Sequence, residues 1–230
     1  MVNQIKILTR QSTLAKIQGK IVGDKIYAAF PQIKIKYYTS KTIGDINQNL
    51  DLKSSETRGL FTSDISKNIT NGLYDIAVHS WKDYPILNKS NSDIVGTVLR
   101  DDSRDIIFIK KSSVDKNNPK TLSIMTSSPR RRYGLEQRLN RIIPIDIKKL
   151  EFRDLRGNIE TRLNKFIESD NDAIIVAKAA IDRLLASDDV NVSFKTRIQY
   201  CFSSCQWIIL PLSLFPTAAA QGAIGIETRA

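Results

Sequence analysis

The sequence contains few of the residues that build disulfide frameworks and metal centres. Its 230 residues include two cysteines and one histidine. Two cysteines are too few for a disulfide framework, and the C-x3-C spacing of Cys201 and Cys205 supplies at most half of a tetrahedral metal site. Because a single histidine cannot complete that site, the sequence predicts no metal centre and two buried or idle thiols.

Long apolar runs are also missing. No stretch of about 18 apolar residues occurs, so no membrane-spanning helix is expected. Residues 1–10 enter an alternating strand pattern directly, without the charged and apolar regions of a signal peptide. From these two absences we expect a cytoplasmic protein.

Positive charge dominates the composition. The formal net charge of +11, with a pI near 9.6, fits nucleic acid, a membrane surface or a polyanionic small molecule as partner. The arginines of residues 126–162 are interleaved with acidic residues, and no basic tail, zinc-finger spacing or RNA-binding aromatic motif is present. We therefore expect discrete pockets for a small anion, and neither nucleic acid nor a membrane as partner.

Apolar segments alternate between strand and helix periodicity along most of the chain. This alternation is typical of a mainly parallel sheet flanked by helices. The pattern begins again after residue 99. The sequence therefore predicts an α/β fold of two lobes, formed by residues 1–96 plus 206–230 and by residues 97–205, with a cleft between them.

One stretch combines a buried strand with candidate chemistry. The apolar run 74–78 ends in a polar cluster that contains His79, Lys82 and Asp83. Ligands of open α/β sheets bind at the carboxyl ends of strands, where a lysine can hold an anion and a carboxylate can move protons. The alternative is a core strand that continues into a solvated turn. We expect His79 to orient or pack rather than to transfer protons.

Other predicted strands are also followed by an arginine and by the first residues of a helix. Arg10 ends the first strand, and Ser12 is predicted to cap the following helix, whose positive end strengthens an anion site. Pro129 fits the first turn of a helix that begins after Ser128. A further helix is predicted to begin at Asn158, just after Arg156.

Seven short motifs follow one another in an order that matches a known family. They are TRQS at 9–12, RGLF at 58–61, DIAVHSWKDYP at 75–85, TSSPRR at 126–131, LRGNIETR at 155–162, DAII at 172–175 and QGAIGIE at 221–227. Together they resemble the hydroxymethylbilane synthase family, also called porphobilinogen deaminase. The resemblance implies a fold similar to that of type II solute-binding proteins, with the active site in the cleft between the two lobes.

The resemblance also implies a reaction and a set of residues. The reaction is a transferase step of haem biosynthesis, in which four porphobilinogen units condense head to tail into hydroxymethylbilane and release ammonia. Asp83 matches the catalytic carboxylate, with Lys82 beside it. Because the substrate carries acetate and propionate arms, arginines suit its binding. The implied substrate- and primer-binding residues are Arg10, Ser12, Arg58, Ser127, Ser128, Arg130, Arg131, Arg156, Gly157, Asn158 and Arg162.

The implied cofactor is a dipyrromethane primer. In the family a cysteine of a third domain, which follows the 221–227 motif, holds it through a thioether. The sequence ends at Ala230, so we expect this domain to be absent, and neither Cys201 nor Cys205 matches the attachment position. Three alternatives stay open: a third domain that is lost or supplied by a separate chain, a primer held without a covalent bond, or a catalytically impaired pyrrole- or anion-binding protein. Apart from such a partner chain we expect a monomer.

Two other classes of protein share some of these features. A two-lobed receptor for a small anion would have the same architecture, but the expected lack of a signal peptide and the presence of Asp83 argue against it. A nucleic-acid-binding protein would use the basic surface, and its DNA binding would weaken steeply with salt.

Overall fold

The structure is a computed structural model, and it describes residues 3–40, 63–86, 91–114, 120–143 and 147–230. The strands within these ranges are β1 (Gln4–Arg10), β2 (Lys34–Ser40), β3 (Ile76–Ser80), β4 (Ser92–Thr97), β5 (Asp105–Lys110), β6 (Lys120–Met125), β7 (Ile147–Arg153), β8 (Ala173–Ala177), β9 (Cys205–Ile209) and β10 (Ile224–Arg229). The helices within them are α1 (Thr13–Ala29), α2 (Ser63–Thr70), α3 (Lys111–Val114), α4 (Pro129–Ile142), α5 (Ile159–Glu168), α6 (Lys178–Ala186) and α7 (Val192–Ser204), and a 3-10 turn is formed by Trp81–Asp83. Among the described residues, no helix is both long and apolar enough to cross a bilayer.

The chain forms two compact units, one of Met1–Asp101 with Gly222–Ala230 and one of Asp102–Gln221. The first unit contains a five-stranded sheet in the order β2-β1-β3-β10-β4, in which β1 is parallel to β2 and β3. Successive strand residues point to opposite faces. Ile7 packs with Val22 of α1 on one face, and Leu8 packs with Ile65 of α2 on the other. Helices therefore bury both faces of β1.

The second unit repeats this plan. Its sheet has the order β7-β6-β8-β5-β9, with β6 parallel to β7 and β8. In each sheet the fourth strand, β10 or β5, is antiparallel to both of its neighbours. Ile107 of β5 is fully buried and belongs to a core cluster with Ile124 of β6 and Leu135 of α4. The predicted α/β fold of two helix-flanked sheets is confirmed.

The predicted helix starts are also confirmed. The hydroxyls of Ser12 and Ser128 and the side-chain oxygen of Asn158 each accept a hydrogen bond from a backbone N–H in the first turn of the following helix. Pro129 occupies the first turn of α4, where its missing N–H leaves no helical hydrogen bond unmade.

The unit boundaries differ from those predicted at 96/97 and 205/206. They lie at 101/102 and 221/222 because β9 pairs with β5 inside the second sheet. The second crossing has an unusual backbone, since Ala220 and Gly222 have φ angles of 55° and 86°. Between them, the Gln221 amide donates hydrogen bonds to the carbonyl of Ser103 and to the carboxylate of Asp105, at 2.7 and 2.9 Å.

Replacing Ile107 by alanine tests how far the second unit depends on this core. The cavity left at a fully buried position should lower the free energy of unfolding by about 2–5 kcal/mol, measured by urea denaturation with circular dichroism. The control is Ile86→Ala at a fully exposed position, which should change stability by less than about 0.5 kcal/mol. A loss at position 107 as small as in the control would contradict the core described here.

Candidate active site

In the first unit, the predicted site residues lie where two parallel strands end. Leu8 of β1 is opposite Ala77 of β3, so Arg10, the last residue of β1, and His79, the last but one of β3, lie at the same edge of the sheet. The Ser12 hydroxyl caps α1 by accepting from the N–H of Ala15 at 3.4 Å. Helix α1 thus begins at this edge, and the positive end of its dipole favours an anion there.

Lys82 and Asp83 belong to the 3-10 turn that follows β3. The turn is tied at its start by the N–H of Trp81, which donates to the carbonyl of Ala223 at 3.1 Å, and it closes when the N–H of Tyr84 donates to Trp81 at 3.0 Å. Asp83 is exposed and Lys82 is half-buried. Within the described ranges, no hydrogen bond or ion pair is recorded for the Asp83 carboxylate, so its oxygens are open to a ligand.

A fully buried carboxylate lies behind this turn. Glu227 of β10 accepts from Nε2 of His79 at 2.7 Å and from the hydroxyls of Tyr84 and Ser92 at 3.0 and 2.6 Å. Burial opposes ionisation, but hydrogen bonds from His79, Ser66 and Ser92 outweigh it and hold the pKa of Glu227 below its usual value. Glu227 is therefore a carboxylate at neutral pH.

In the second unit, Ser127 joins two of the loops that carry predicted site residues. Its hydroxyl accepts from the N–H of Leu155 at 2.8 Å and donates to the carbonyl of the same residue at 3.1 Å. Arg132 adds a second connection between these loops, with hydrogen bonds to the carbonyl of Thr126 and a 2.6 Å ion pair to Asp154. The Ser127 side chain thus connects the segments that follow β6 and β7.

The paired arginines at the start of α4 both bind a carboxylate of the protein itself. Asp105, at the start of β5, has no exposed surface, and each of its oxygens lies 2.7 Å from the guanidinium of Arg130 or of Arg131. Burial alone would raise the pKa of Asp105, but the charges and hydrogen bonds of the two arginines hold it below its ordinary value. Arg131 also donates to the carbonyl of Ile175, and Arg130 to that of Pro216.

The two arginines differ in how much of each remains accessible. The Arg130 side chain is 29% exposed and the Arg131 side chain 8% exposed. Nε of Arg131 is buried and has no hydrogen-bond partner among the described residues. The exposed part of the Arg130 guanidinium can therefore contact a ligand, whereas Arg131 mainly stabilises the surrounding structure.

The remaining predicted residues surround the start of α5. The Asn158 side chain accepts from the N–H and hydroxyl of Thr161 at 2.8 and 2.9 Å, and Nε of Arg162 donates to the carbonyl of Gly157 at 2.8 Å. Gly157 has φ 107°, and a Cβ there would lie 2.8 Å from Thr161, so a side chain is strongly disfavoured. Arg156 and Arg162 are both half-buried. Arg58, also predicted to bind substrate, lies outside the described residues.

Sequence reasoning missed the buried residues that hold these loops. Asp105, Gln221 and Glu227 were not assigned a role, although two of them lie within the 221–227 motif. A signal was present: Asp105 and Glu227 are acidic residues at the ends of apolar runs, where a buried strand normally has no charge. Among the described residues, no cluster of three histidine, cysteine or acidic side chains could hold a metal ion.

Comparison with known proteins identifies the family. The model of the family described as "Porphobilinogen deaminase, dipyromethane cofactor binding domain" matches residues 5–230. The chain belongs to the porphobilinogen deaminase family. It is 35% identical over 229 residues to the porphobilinogen deaminase of Chlorobaculum parvum, covering 100% of this chain and 66% of that protein. It is 39% identical over 180 residues to a protein of Picrophilus torridus named probable porphobilinogen deaminase, covering 78% and 60%.

The family assignment confirms the predicted resemblance. The chain spans 66% of the length of the relative from Chlorobaculum parvum. Among solved structures it is similar to the PA01 protein of Pseudomonas aeruginosa, with a TM-score of 0.50 and 10% identity, covering 100% of this chain and 65% of that one. At this identity the likeness concerns the fold alone.

The residues of the second unit fit the group that the family description names. A dipyrromethane with acetate and propionate arms is a polyanion, and guanidinium groups bind carboxylates through paired hydrogen bonds. Arg130, Arg156 and Arg162 retain accessible surface near the starts of α4 and α5, and one N–H of Arg131 still lacks an acceptor. This donor set suits a polyanionic ligand.

The two cysteines are buried thiols. Burial, and to a lesser extent the neighbouring Cys205, raises the pKa of Cys201 to about 12. Burial also raises the pKa of Cys205, although Ser204, Lys110 and Lys111 partly oppose it. Since the thiolate is the reactive form, neither cysteine is set up as a nucleophile.

Alkylation by iodoacetamide at pH 8 tests this assignment. We expect both native thiols to react at least about a hundredfold more slowly than in urea-unfolded protein, because little thiolate forms. Ser203→Cys places a thiol at an exposed position of α7, the helix that contains Cys201. This thiol should label rapidly in the native state. Native labelling of Cys201 or Cys205 at the rate of this control would contradict their burial.

Acid unfolding tests the Asp105 centre. Because the pKa of Asp105 in the folded protein lies below its ordinary value of 3.8, its contribution to stability is complete above that value and is lost as the pH falls through the folded pKa. Asp105→Asn should cost about 3–5 kcal/mol at pH 7, since it leaves Arg131 buried without its counter-charge. The variant should also lose less stability than the wild type between pH 5 and pH 2.

The matched control is Asp102→Asn, which breaks the partly exposed pair with Arg104 in the same unit. Exposed pairs contribute less than about 1 kcal/mol. Equal losses in the two variants, measured by urea denaturation, would contradict a central role for Asp105.

Proposed function

We propose that this chain carries the catalytic centre of a hydroxymethylbilane synthase, which joins porphobilinogen units head to tail with loss of ammonia. The observation that carries the proposal is the turn Trp81–Asp83, where an exposed carboxylate follows a lysine at the carboxyl end of β3. Arg10 ends the parallel neighbour β1 and adds a second cation at this edge. The names of the relatives support porphobilinogen as the substrate.

The proposed chemistry follows from the charges that develop in the reaction. The C–N bond of the aminomethyl group breaks, its electron pair leaves with nitrogen as ammonia, and a cationic azafulvenium remains. A carboxylate placed beside that cation lowers its energy. A pyrrole α-carbon then forms the new C–C bond and must give up a proton, which Asp83 can accept. Lys82 and Arg10 hold the acetate and propionate arms.

We assign the second unit to the growing chain and its dipyrromethane primer. When bound, this group supplies the pyrrole α-carbon that receives the first unit. Arg130, Arg156 and Arg162 would bind its carboxylates. The capping residues Ser128 and Asn158 would act through the backbone N–H groups at the helix starts they form, and Arg131, Ser127 and Gly157 complete the proposed binding residues of this unit. In the first unit, Ser12 would act in the same way at the start of α1, and Arg58 would also bind substrate. The cytoplasmic location, the monomeric state and a separate chain that supplies a third domain stay predictions.

Asp83→Asn tests the catalytic carboxylate. The amide keeps the size of the side chain but carries no charge and is not a base, so porphobilinogen consumption should fall at least about a hundredfold. Circular dichroism should be unchanged, and affinity for porphobilinogen should stay within about threefold, because other residues bind the substrate arms. Consumption is followed colorimetrically and product by intact mass.

The control is Asp24→Asn, at an exposed aspartate on α1, and it should retain wild-type turnover. Asp83→Asn turnover close to that of the control would refute the role of Asp83. If the wild-type chain binds porphobilinogen without consuming it or gaining mass, the chain is instead the anion-binding protein considered above.

A further inference from the structure

The buried Glu227 carboxylate contacts both sides of the turn that carries Lys82 and Asp83. His79 precedes the turn and donates to one carboxylate oxygen at 2.7 Å; Tyr84 follows it and donates to the other at 3.0 Å. The rings of His79 and Tyr84 also lie against each other, with centroids 5.3 Å apart. One side chain from β10 therefore closes the loop between two residues that are five positions apart.

Two further donors to Glu227 are not part of the turn. The hydroxyl of Ser92, on β4, donates to the same oxygen as Tyr84 at 2.6 Å, and Ser66 of α2 also hydrogen-bonds the carboxylate. A carboxylate only accepts hydrogen bonds, so every partner must direct a hydrogen at Glu227. Since Glu227, Ser92 and His79 are 0%, 0% and 4% exposed, water does not compete for these bonds.

Other contacts also connect the turn to the rest of the unit. Its backbone is joined to the chain before β10 through the N–H of Trp81, and Ser80 exchanges hydrogen bonds with the amide of Gln18 on α1 at 2.9 and 3.1 Å. These contacts fix where the turn begins. Where the turn ends, the Tyr84 hydroxyl donates to Glu227 at 3.0 Å and also makes hydrogen bonds with Ser66 and Ser92.

We propose that Glu227 is a positioning residue that fixes the Trp81–Asp83 turn through His79 and Tyr84, and so sets where Lys82 and Asp83 meet the substrate. The catalytic consequence rests on the function proposed above. The structural part does not, because the order of the turn can be measured without substrate. A shift of about 1 Å in a reacting group is enough to lower a rate a hundredfold.

Trp81 gives a direct measure of turn order. The sequence has two tryptophans, and the other, Trp207, is 48% exposed on β9. In a Trp207→Phe background, the fluorescence of Trp81 reports on the turn alone. Adding Glu227→Gln should raise the acrylamide quenching constant of Trp81 at least about twofold, because the amide replaces an acceptor oxygen with a donor that faces other donors.

Two further variants separate positioning from general damage. Tyr84→Phe removes only the hydroxyl at the end of the turn and should raise Trp81 quenching in the same direction by a smaller amount. Ser92→Ala removes a donor on β4 that contacts Glu227 and Tyr84 but leaves the bonds of His79 and Tyr84 to Glu227 in place, so it should raise the quenching constant by less than Tyr84→Phe. If Glu227→Gln does not fold, the difference between these two variants decides the question.

Turnover provides the second measurement. Glu227→Gln should lower kcat for porphobilinogen at least about tenfold and change KM less than about threefold, since binding groups on β1 are untouched. Unchanged Trp81 quenching in folded Glu227→Gln and Tyr84→Phe would overturn the inference, as would normal kcat in Glu227→Gln. A wild-type chain without turnover would count against the proposed function, while the quenching comparison would still decide the role of Glu227.

Discussion

Each unit depends on one carboxylate buried on its antiparallel strand. Glu227 on β10 and Asp105 on β5 have no exposed surface. Taking a carboxylate out of water costs several kcal/mol, so it is tolerated only where hydrogen bonds and counter-charges surround it. In both units some of those partners come from the end of a parallel strand or from the segment after it: His79 and Tyr84 at the end of β3 and after it, and Arg130 and Arg131 after β6. Because breaking these hydrogen bonds would leave a buried charge without partners, the bonds hold the loops at the carboxyl ends of the strands.

The Asp105 centre changes how the basic character of the chain is understood. A net charge of +11 indicates an anionic partner, but part of the positive charge already faces an anion inside the protein. A ligand that binds Arg130 must share that arginine with Asp105. The pair also pre-organises the guanidinium, so less side-chain freedom is lost on binding.

Local signals explain what could be predicted. The cap at Ser12 and the helix starts at Ser128 and Asn158 depend on a few consecutive residues, and all three predictions are confirmed. Helix α7 is not among the predicted helices, although Phe194, Ile198 and Cys201 are buried at helical spacing.

Contacts between distant residues explain what could not be predicted. The strand β9 has the same apolar pattern whether it joins the first sheet or the second, and only its pairing with β5 decides. In the same way, the resemblance implies that Arg130 and Arg131 bind carboxylates of the substrate or primer, but nothing in the sequence indicates their contact with Asp105, 25 and 26 positions away.

The second crossing between the units has an energetic consequence. Ala220 has φ 55°, in the left-handed region that costs a residue with a Cβ about 1 kcal/mol or more. The two hydrogen bonds of Gln221 to Ser103 and Asp105 require the chain to turn here. In the terms of folding landscapes, position 220 is locally frustrated: its own preference conflicts with the native contacts of its neighbour. Glycine at this position would remove the conflict without moving the backbone.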